Sequence, residues 1–418
     1  MNSAVCLRCL RCNAQYPLAY RGSGCVVCAP TAPSNLRVSY PSQTYRDFDF
    51  EGVANAGLGM WRYEALLPVE GDSFVTLGEG STPLTSAKRT GRAFGIQDLY
   101  VKDETQNPTQ SYKDRLSTVA VSHAKQTGAT VVATASSGNA GASLAAYAAK
   151  AGMACVVASM AGASGPMLTQ IRKFGAHAVL MADKSLRWSY LKAATEQSGW
   201  YLTSPYTSPV VGSSPIGIEG YKTIAYEIYA DLGKAPDWMA MPVCYGDALA
   251  GICQGFMDLL AAQRIHALPR FIAAEAHGSL SEALQKGGDI VEPVAASYET
   301  LAASVAATQS TYQALWSLRK TEGVAIRIGN EGLVAMQEQL ASQEGIFLEL
   351  ASVMPFLAVQ RLRIADLIKP TDSVICLATA SGLKDTGRST SAWSDLPVEN
   401  GSVEQILVRT NAALRPTS

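Results

Sequence analysis

Strand-like and helix-like segments take turns along most of this chain, and that alternation restricts the fold more than any other feature. From about residue 97 onward, short apolar and β-branched runs alternate with amphipathic stretches. The spacing predicts strands over 131–135, 154–158, 178–181, 238–243, 271–276 and 374–378. It predicts helices over 138–151, 167–174, 185–197, 216–232, 248–262 and 352–364. Such alternation implies an α/β fold with parallel sheets covered on both faces. Ligands then bind beyond the carboxyl ends of strands, in the loops that lead into helices.

Composition narrows the function classes. A chain of 418 residues has room for two or three domains, and 48% apolar with 17% charged residues fits a well-packed enzyme. A net charge of −1 leaves no basic footprint for nucleic acid. No apolar run reaches the roughly 20 residues that span a bilayer. Residues 1–30 lack the uninterrupted apolar core of a signal peptide, so a cytoplasmic enzyme is the expectation.

Five of the nine cysteines fall in the first 28 residues: Cys6, Cys9, Cys12, Cys25 and Cys28. Cys9-Leu-Arg-Cys12 and Cys25-Val-Val-Cys28 are two CxxC pairs, and together they can close a tetrahedral thiolate shell around a structural Zn²⁺. Cys6-Leu-Arg-Cys9 is a competing CxxC, and a ribbon that has lost its metal is the alternative. Four protein ligands leave no open position, so the role is structural.

Three strand-to-helix loops can carry chemistry. Ser136-Ser137-Gly138-Asn139-Ala140-Gly141 opens a helix whose first N–H groups favour a carboxylate, although by itself it is equally a tight turn. Pro242 through Gly251 feeds backbone amides into another helix start and can cradle a phosphate, with Asp247 an unusual neighbour for one. Thr379 opens the third loop, where its hydroxyl either meets a ring nitrogen or caps the turn. Upstream, Lys113 sits among polar turn residues and reads, alone, as an ordinary solvated lysine.

Taken together these stretches resemble the fold-type II pyridoxal-phosphate (PLP) enzymes, within the tryptophan synthase β superfamily, and most closely their threonine synthase-like branch. The matching segments are Leu77–Leu84, Lys102–Arg115, Ser136–Gly152, Met241–Gly251, Glu349–Ser352 and Thr379–Asp385, in the family's order over nearly the whole chain. The resemblance implies a two-domain PLP enzyme with twisted, helix-flanked sheets. A cysteine knuckle would span 1–32, a large PLP domain 33–106 and 224–418, and a small carboxylate-binding domain 107–223. It makes Lys113 the catalytic residue that carries PLP as a Schiff base and moves protons. Asn139 would face the cofactor's 3-hydroxyl. Residues Val243, Cys244, Tyr245, Gly246, Asp247 and Ala248 would hold its phosphate, mostly through backbone amides, and Thr379 would meet its ring nitrogen. Ser136, Ser137, Gly138 and Ala140 would surround the substrate carboxylate. The resemblance also implies a homodimer acting on a small amino acid.

The chain departs from this branch where a phosphate ester would be gripped. Gly217 stands at the place of the family's arginine, Val211-Gly212 at its Asn-Ser pair, and Ala140 at its post-loop hydroxyl. Gln110 replaces a glycine just before the Schiff-base segment, and by motif position Gln110 and Gly217 would also lie at the substrate. Loss of a guanidinium removes the charge-assisted bonds that dominate phosphate recognition. The expected reaction is therefore β- or γ-elimination or replacement with a non-phosphate leaving group. Conversion of O-phosphohomoserine to threonine, threonine or serine ammonia-lyase activity, and a silent binding protein are the alternatives.

Overall fold

A computed structural model describes residues 5–55, 59–183, 185–390 and 398–413. Residues 1–385 form one compact unit and 386–418 a second. In the second unit, Thr386–Ser389 and Val403–Ala413 are helical.

The first unit is built on two helix-covered sheets. The larger runs Val324–Arg327, Arg270–Glu275, Trp238–Pro242, Ser373–Ala378, Asp98–Asp103 and Leu84–Ser86 in spatial order. Its neighbours pair in parallel except at the Leu84–Ser86 edge, which is antiparallel. The central strands Trp238–Pro242 and Ser373–Ala378 are buried at every position, as strands covered on both faces must be. The smaller sheet runs His177–Met181, Ala154–Met160, Val131–Thr134 and Tyr201–Leu202, all parallel. Among the described residues, no helix is long and apolar enough to cross a membrane.

Most expected elements lie within a residue or two of their predicted bounds. The expected helix over 216–232 is instead three pieces: Pro215–Ile218, a 3-10 turn at Glu219–Tyr221, and Lys222–Leu232. Close packing accounts for the break. Gly220 lies against the helix Lys113–Gln126 so tightly that a Cβ on it would fall 1.9 Å from the Arg115 carbonyl oxygen.

That helix itself shows no clear apolar period in the sequence, because much of what it buries is polar: Asp114, Arg115, Ser117, Thr118, Ser122 and His123. Arg115 Nε meets Glu104 at 2.7 Å and Arg115 Nη2 meets Glu227 at 2.7 Å, all three fully enclosed. Lys102 Nζ reaches Glu227 at 2.9 Å from the strand Asp98–Asp103. Buried charges persist only where partners are this close.

At the N-terminal end, Gln15–Tyr16, Cys6–Cys9 and Leu36–Ser39 make a small antiparallel sheet. Its third strand lies beyond residue 32, so the knuckle's sheet needs more chain than its cysteines mark out.

Candidate active site

Lys113 is the first residue of its helix, and the chain before it is stitched to the loop after the strand Ser373–Ala378. The Tyr112 N–H donates to the Thr379 carbonyl at 2.9 Å, and the Ser381 N–H to the Gln110 carbonyl at 3.1 Å. These bonds hold the lysine at the carboxyl edge of the larger sheet. Burial disfavours the Lys113 ammonium, but Tyr112, Tyr221 and Asp247 stabilise it and win, so its proton is held well above the usual lysine range.

Lys113 opens onto a cavity of about 1050 Å³, its open mouth included. Ser136, Gly138, Asn139 and Ala140 line it from the smaller sheet's side. Val243, Cys244, Tyr245, Gly246, Asp247, Ala248 and Thr379 line it from the larger sheet's side. Loops far apart in sequence thus converge where strands hand over to helices, as the topology demands.

The loop 242–249 offers amides to an anion. Gly246 has φ +80° and lies so close to Ala314 that an added Cβ would fall 2.3 Å from the Ala314 Cβ. Only glycine supplies that turn at no steric cost. Among the described residues, none of the N–H groups from Tyr245 to Leu249 donates to a backbone carbonyl, and the first helical bond after them is Ala250 to Gly246 at 2.9 Å. The expected part of Val243 needs correction here. Its N–H is already spent on the Ala274 carbonyl at 2.8 Å, so it cannot also serve a phosphate.

Asp247, which looked out of place beside a phosphate, has its charge engaged elsewhere. Its Oδ1 accepts from the Ser213 N–H at 3.0 Å and Gln313 Nε2 at 2.6 Å, and its Oδ2 from the Ser213 hydroxyl at 2.6 Å.

Asn139 Nδ2 donates to Glu349 Oε2 at 2.6 Å, while its Oδ1 is buried with no hydrogen-bond partner among the described residues. Burial raises the Glu349 carboxyl, against hydrogen bonds from Ser304 and Asn139 that lower it. The Thr379 hydroxyl pairs with the Ser352 hydroxyl at 2.6 Å.

Three expected substrate residues do not line the cavity: Ser137, Gln110 and Gly217. Gln110 is exposed and holds φ +62°, a left-handed conformation that a glycine adopts more cheaply. Gly217 is buried against the Lys113–Gln126 helix, and a Cβ there would come within 2.9 Å of Leu116 Cγ. An arginine at 217 would have to displace that packing.

The cavity also gathers residues that sequence reading did not assign to it. Arg187 and Trp188, from the helix Leu186–Ser198, line it with Ser204, Ser213, Ser304 and Glu349. Arg187 Nη1 lies 3.5 Å from the Ala135 carbonyl oxygen, at the start of the loop that holds Asn139. The helix had been expected, but nothing local marks its first turn as facing a cleft. Glu349 was visible only as part of a matching motif.

At the N-terminal end, the thiols of Cys9, Cys12, Cys25 and Cys28 lie within 4.8 Å of one another. Geometry thereby selects Cys9 with Cys12 over the competing pair with Cys6. Such a group of four thiols could hold one metal ion.

Residues 75–380 match the protein-family model described as pyridoxal-phosphate dependent enzyme. The chain is 31% identical over 390 residues to the threonine synthase of Methanocaldococcus jannaschii, covering 90% of this chain and 92% of that one. It is 33% identical over 341 residues to the threonine synthase of Mycobacterium tuberculosis, covering 80% and 90%. The structure of maize serine racemase superposes with a TM-score of 0.62 at 18% identity, over 79% of this chain and 93% of that one. A fungal L-serine ammonia-lyase from Rhizomucor miehei does so with a TM-score of 0.62 at 18% identity, over 74% and 96%. At that identity these two likenesses speak to the fold.

Proposed function

Because this chain belongs to the pyridoxal-phosphate dependent enzymes, on their threonine synthase-like branch, we propose that it eliminates or replaces a substituent at the β or γ carbon of a small amino acid, with PLP carried on Lys113. The observation that carries this reading is the convergence of Lys113, Asn139, the amide-rich 244–249 turn and Thr379 on one cavity. The residues fit the cofactor. The unpartnered Asn139 Oδ1 suits a phenolic hydroxyl, and the N–H groups from Tyr245 to Leu249, none spent on a backbone carbonyl, suit a phosphate at a helix start.

When bound, the cofactor supplies an electron sink for charge developing at the substrate's α carbon. The protein's own groups set geometry and protonation. The neutral amine of Lys113, the form it would have on leaving the cofactor, would take the α proton and return it, in a cleft that limits competing water. The Ser136–Ala140 turn orients the carboxylate at the N-terminus of the helix Asn139–Ala151. Thr379, already tied to Ser352, would offer a neutral oxygen to the ring nitrogen, which would favour elimination and replacement over transamination. Segment 107–223 would close as a small domain over the large one. Lys384 is placed to latch it, with Nζ 2.5 Å from the Thr109 carbonyl and 2.8 Å from Gln170 Oε1. Closure would exclude water from the reacting part of the substrate.

A leaving group other than phosphate suits the departures at Gly217, Val211 and Gly212. Arg187 supports a second reading, in which its guanidinium grips a phosphate ester and O-phosphohomoserine becomes threonine, the activity in the names of the relatives. A product screen separates the two. We expect oxo acid and ammonia, or a replacement product, from serine, threonine or an O-acetyl amino acid. Release of threonine and inorganic phosphate from O-phosphohomoserine at a higher kcat/KM would establish the second reading instead.

We also propose that Cys9, Cys12, Cys25 and Cys28 hold one structural zinc ion, since four thiolates suit its tetrahedral shell. Metal analysis of the purified protein should return one zinc per chain, and Cys12→Ser with Cys28→Ser should lose it while Cys6→Ser keeps it. Full zinc in the double variant would refute the assignment.

A further inference from the structure

Lys113 lies against a pair of tyrosines. The Tyr112 and Tyr221 rings stack with centroids 5.3 Å apart and planes 27° from parallel. Lys113 Nζ sits 4.6 Å from the first centroid and 5.8 Å from the second. Tyr112 faces the cavity, whereas Tyr221 does not line it and is fully buried in the turn Glu219–Tyr221. Among the described residues the Tyr221 hydroxyl has no hydrogen-bond partner at ordinary distance, and the cation that acts on it is Lys113. A buried hydroxyl without a partner is costly, and a phenyl ring would fill the same space without that cost.

We propose that the Tyr221 hydroxyl is the resting partner of Lys113 Nζ in the part of the cycle when the lysine is detached from the cofactor, which makes Tyr221 a positioning residue for proton transfer. The inference rests on the reading that PLP is carried on Lys113. Detached, the lysine swings on a flexible four-carbon stem and must return to one place. A hydroxyl serves both of its forms, accepting from the ammonium and donating to the amine, and no net proton leaves the tyrosine. The other titratable groups around Lys113 are less free to do this. Asp247 already accepts from Ser213 and Gln313. Burial pushes the Cys244 thiol up to about 11, and Tyr112, which acts on Lys113 more strongly than Tyr221 with the cavity empty, lines the space that cofactor and substrate would fill. Burial also holds the Tyr221 proton far above the usual phenol range, with Lys113 pulling the other way, so the group stays a hydroxyl.

Tyr221→Phe keeps the ring stack and removes only the oxygen. In cofactor-free protein, the pH midpoint for acylation of Lys113, read by peptide mass, should fall by about half a unit or more, because the ammonium loses an acceptor. In the loaded enzyme, kcat should fall about tenfold with KM little changed, and the acidic limb of the kcat profile should move. An unchanged midpoint and profile would overturn the proposal. So would loss of the cofactor band or of the melting transition, which would make the hydroxyl structural. If the unaltered protein takes up PLP with no Schiff-base band, the reading beneath the proposal fails first, before any variant is made.

Discussion

Lys113→Ala is expected to abolish the absorbance band at about 410–420 nm that a PLP–lysine Schiff base gives, and to lower turnover by about 10³-fold or more. The substitution removes the amine but leaves the Tyr245–Leu249 amides, Asn139 and Thr379 in place. PLP should therefore still bind, more weakly and as the free aldehyde. Absorbance together with equilibrium dialysis checks both halves of the expectation. A persistent band with full turnover would show that the cofactor is carried elsewhere.

Arg115→Ala should cost about 3–5 kcal/mol of folding stability, because it strands buried carboxylates rather than merely deleting a contact. Arg115 is fully buried, and its guanidinium is shared between Glu104 and Glu227 at 2.7 Å each. Glu227 would keep the Lys102 ammonium at 2.9 Å, and Glu104 would keep neutral donors from Thr82 and Asn107 at 2.7 and 2.8 Å. The pH dependence carries the signature. Burial raises the Glu227 carboxyl, but Arg115 and Lys102 outweigh it and hold the group well below the usual carboxylate range. A depressed folded-state value gives stability that is present above the unfolded value of about 4.3 and lost as pH falls toward the folded one. The gap between parent and variant should thus be widest near neutrality and narrow below about pH 4. Urea unfolding across a pH series reads this directly. A small, pH-independent gap would mean that the cluster does not hold the fold.

Legibility in the sequence differed from element to element. Apolar strands such as Trp238–Pro242 announce themselves because burial on both faces demands an unbroken apolar run. The strand Asp98–Asp103 and the helix Lys113–Gln126 do not, because both bury charges whose partners include Glu227, far along the chain. The loops around the site were legible as loops, since small residues between a strand and a helix have few other uses. Their detailed roles were not. Whether the Val243 N–H is free depends on Ala274 in the next strand, and whether Asp247 repels a phosphate depends on Ser213 and Gln313.

By itself the sequence determined the alternation of strands and helices, the two CxxC pairs and the order of motifs that places Lys113 in a PLP family. Those are local or collinear properties. Tertiary structure alone decided that the two CxxC pairs meet in a four-thiol cluster without Cys6, that Gly217 packs on Leu116 while Arg187 lines the cleft, and that Tyr221 stands beside Lys113. Each depends on segments more than a dozen residues apart meeting in space. The period of a single segment carries no record of what will be packed against it.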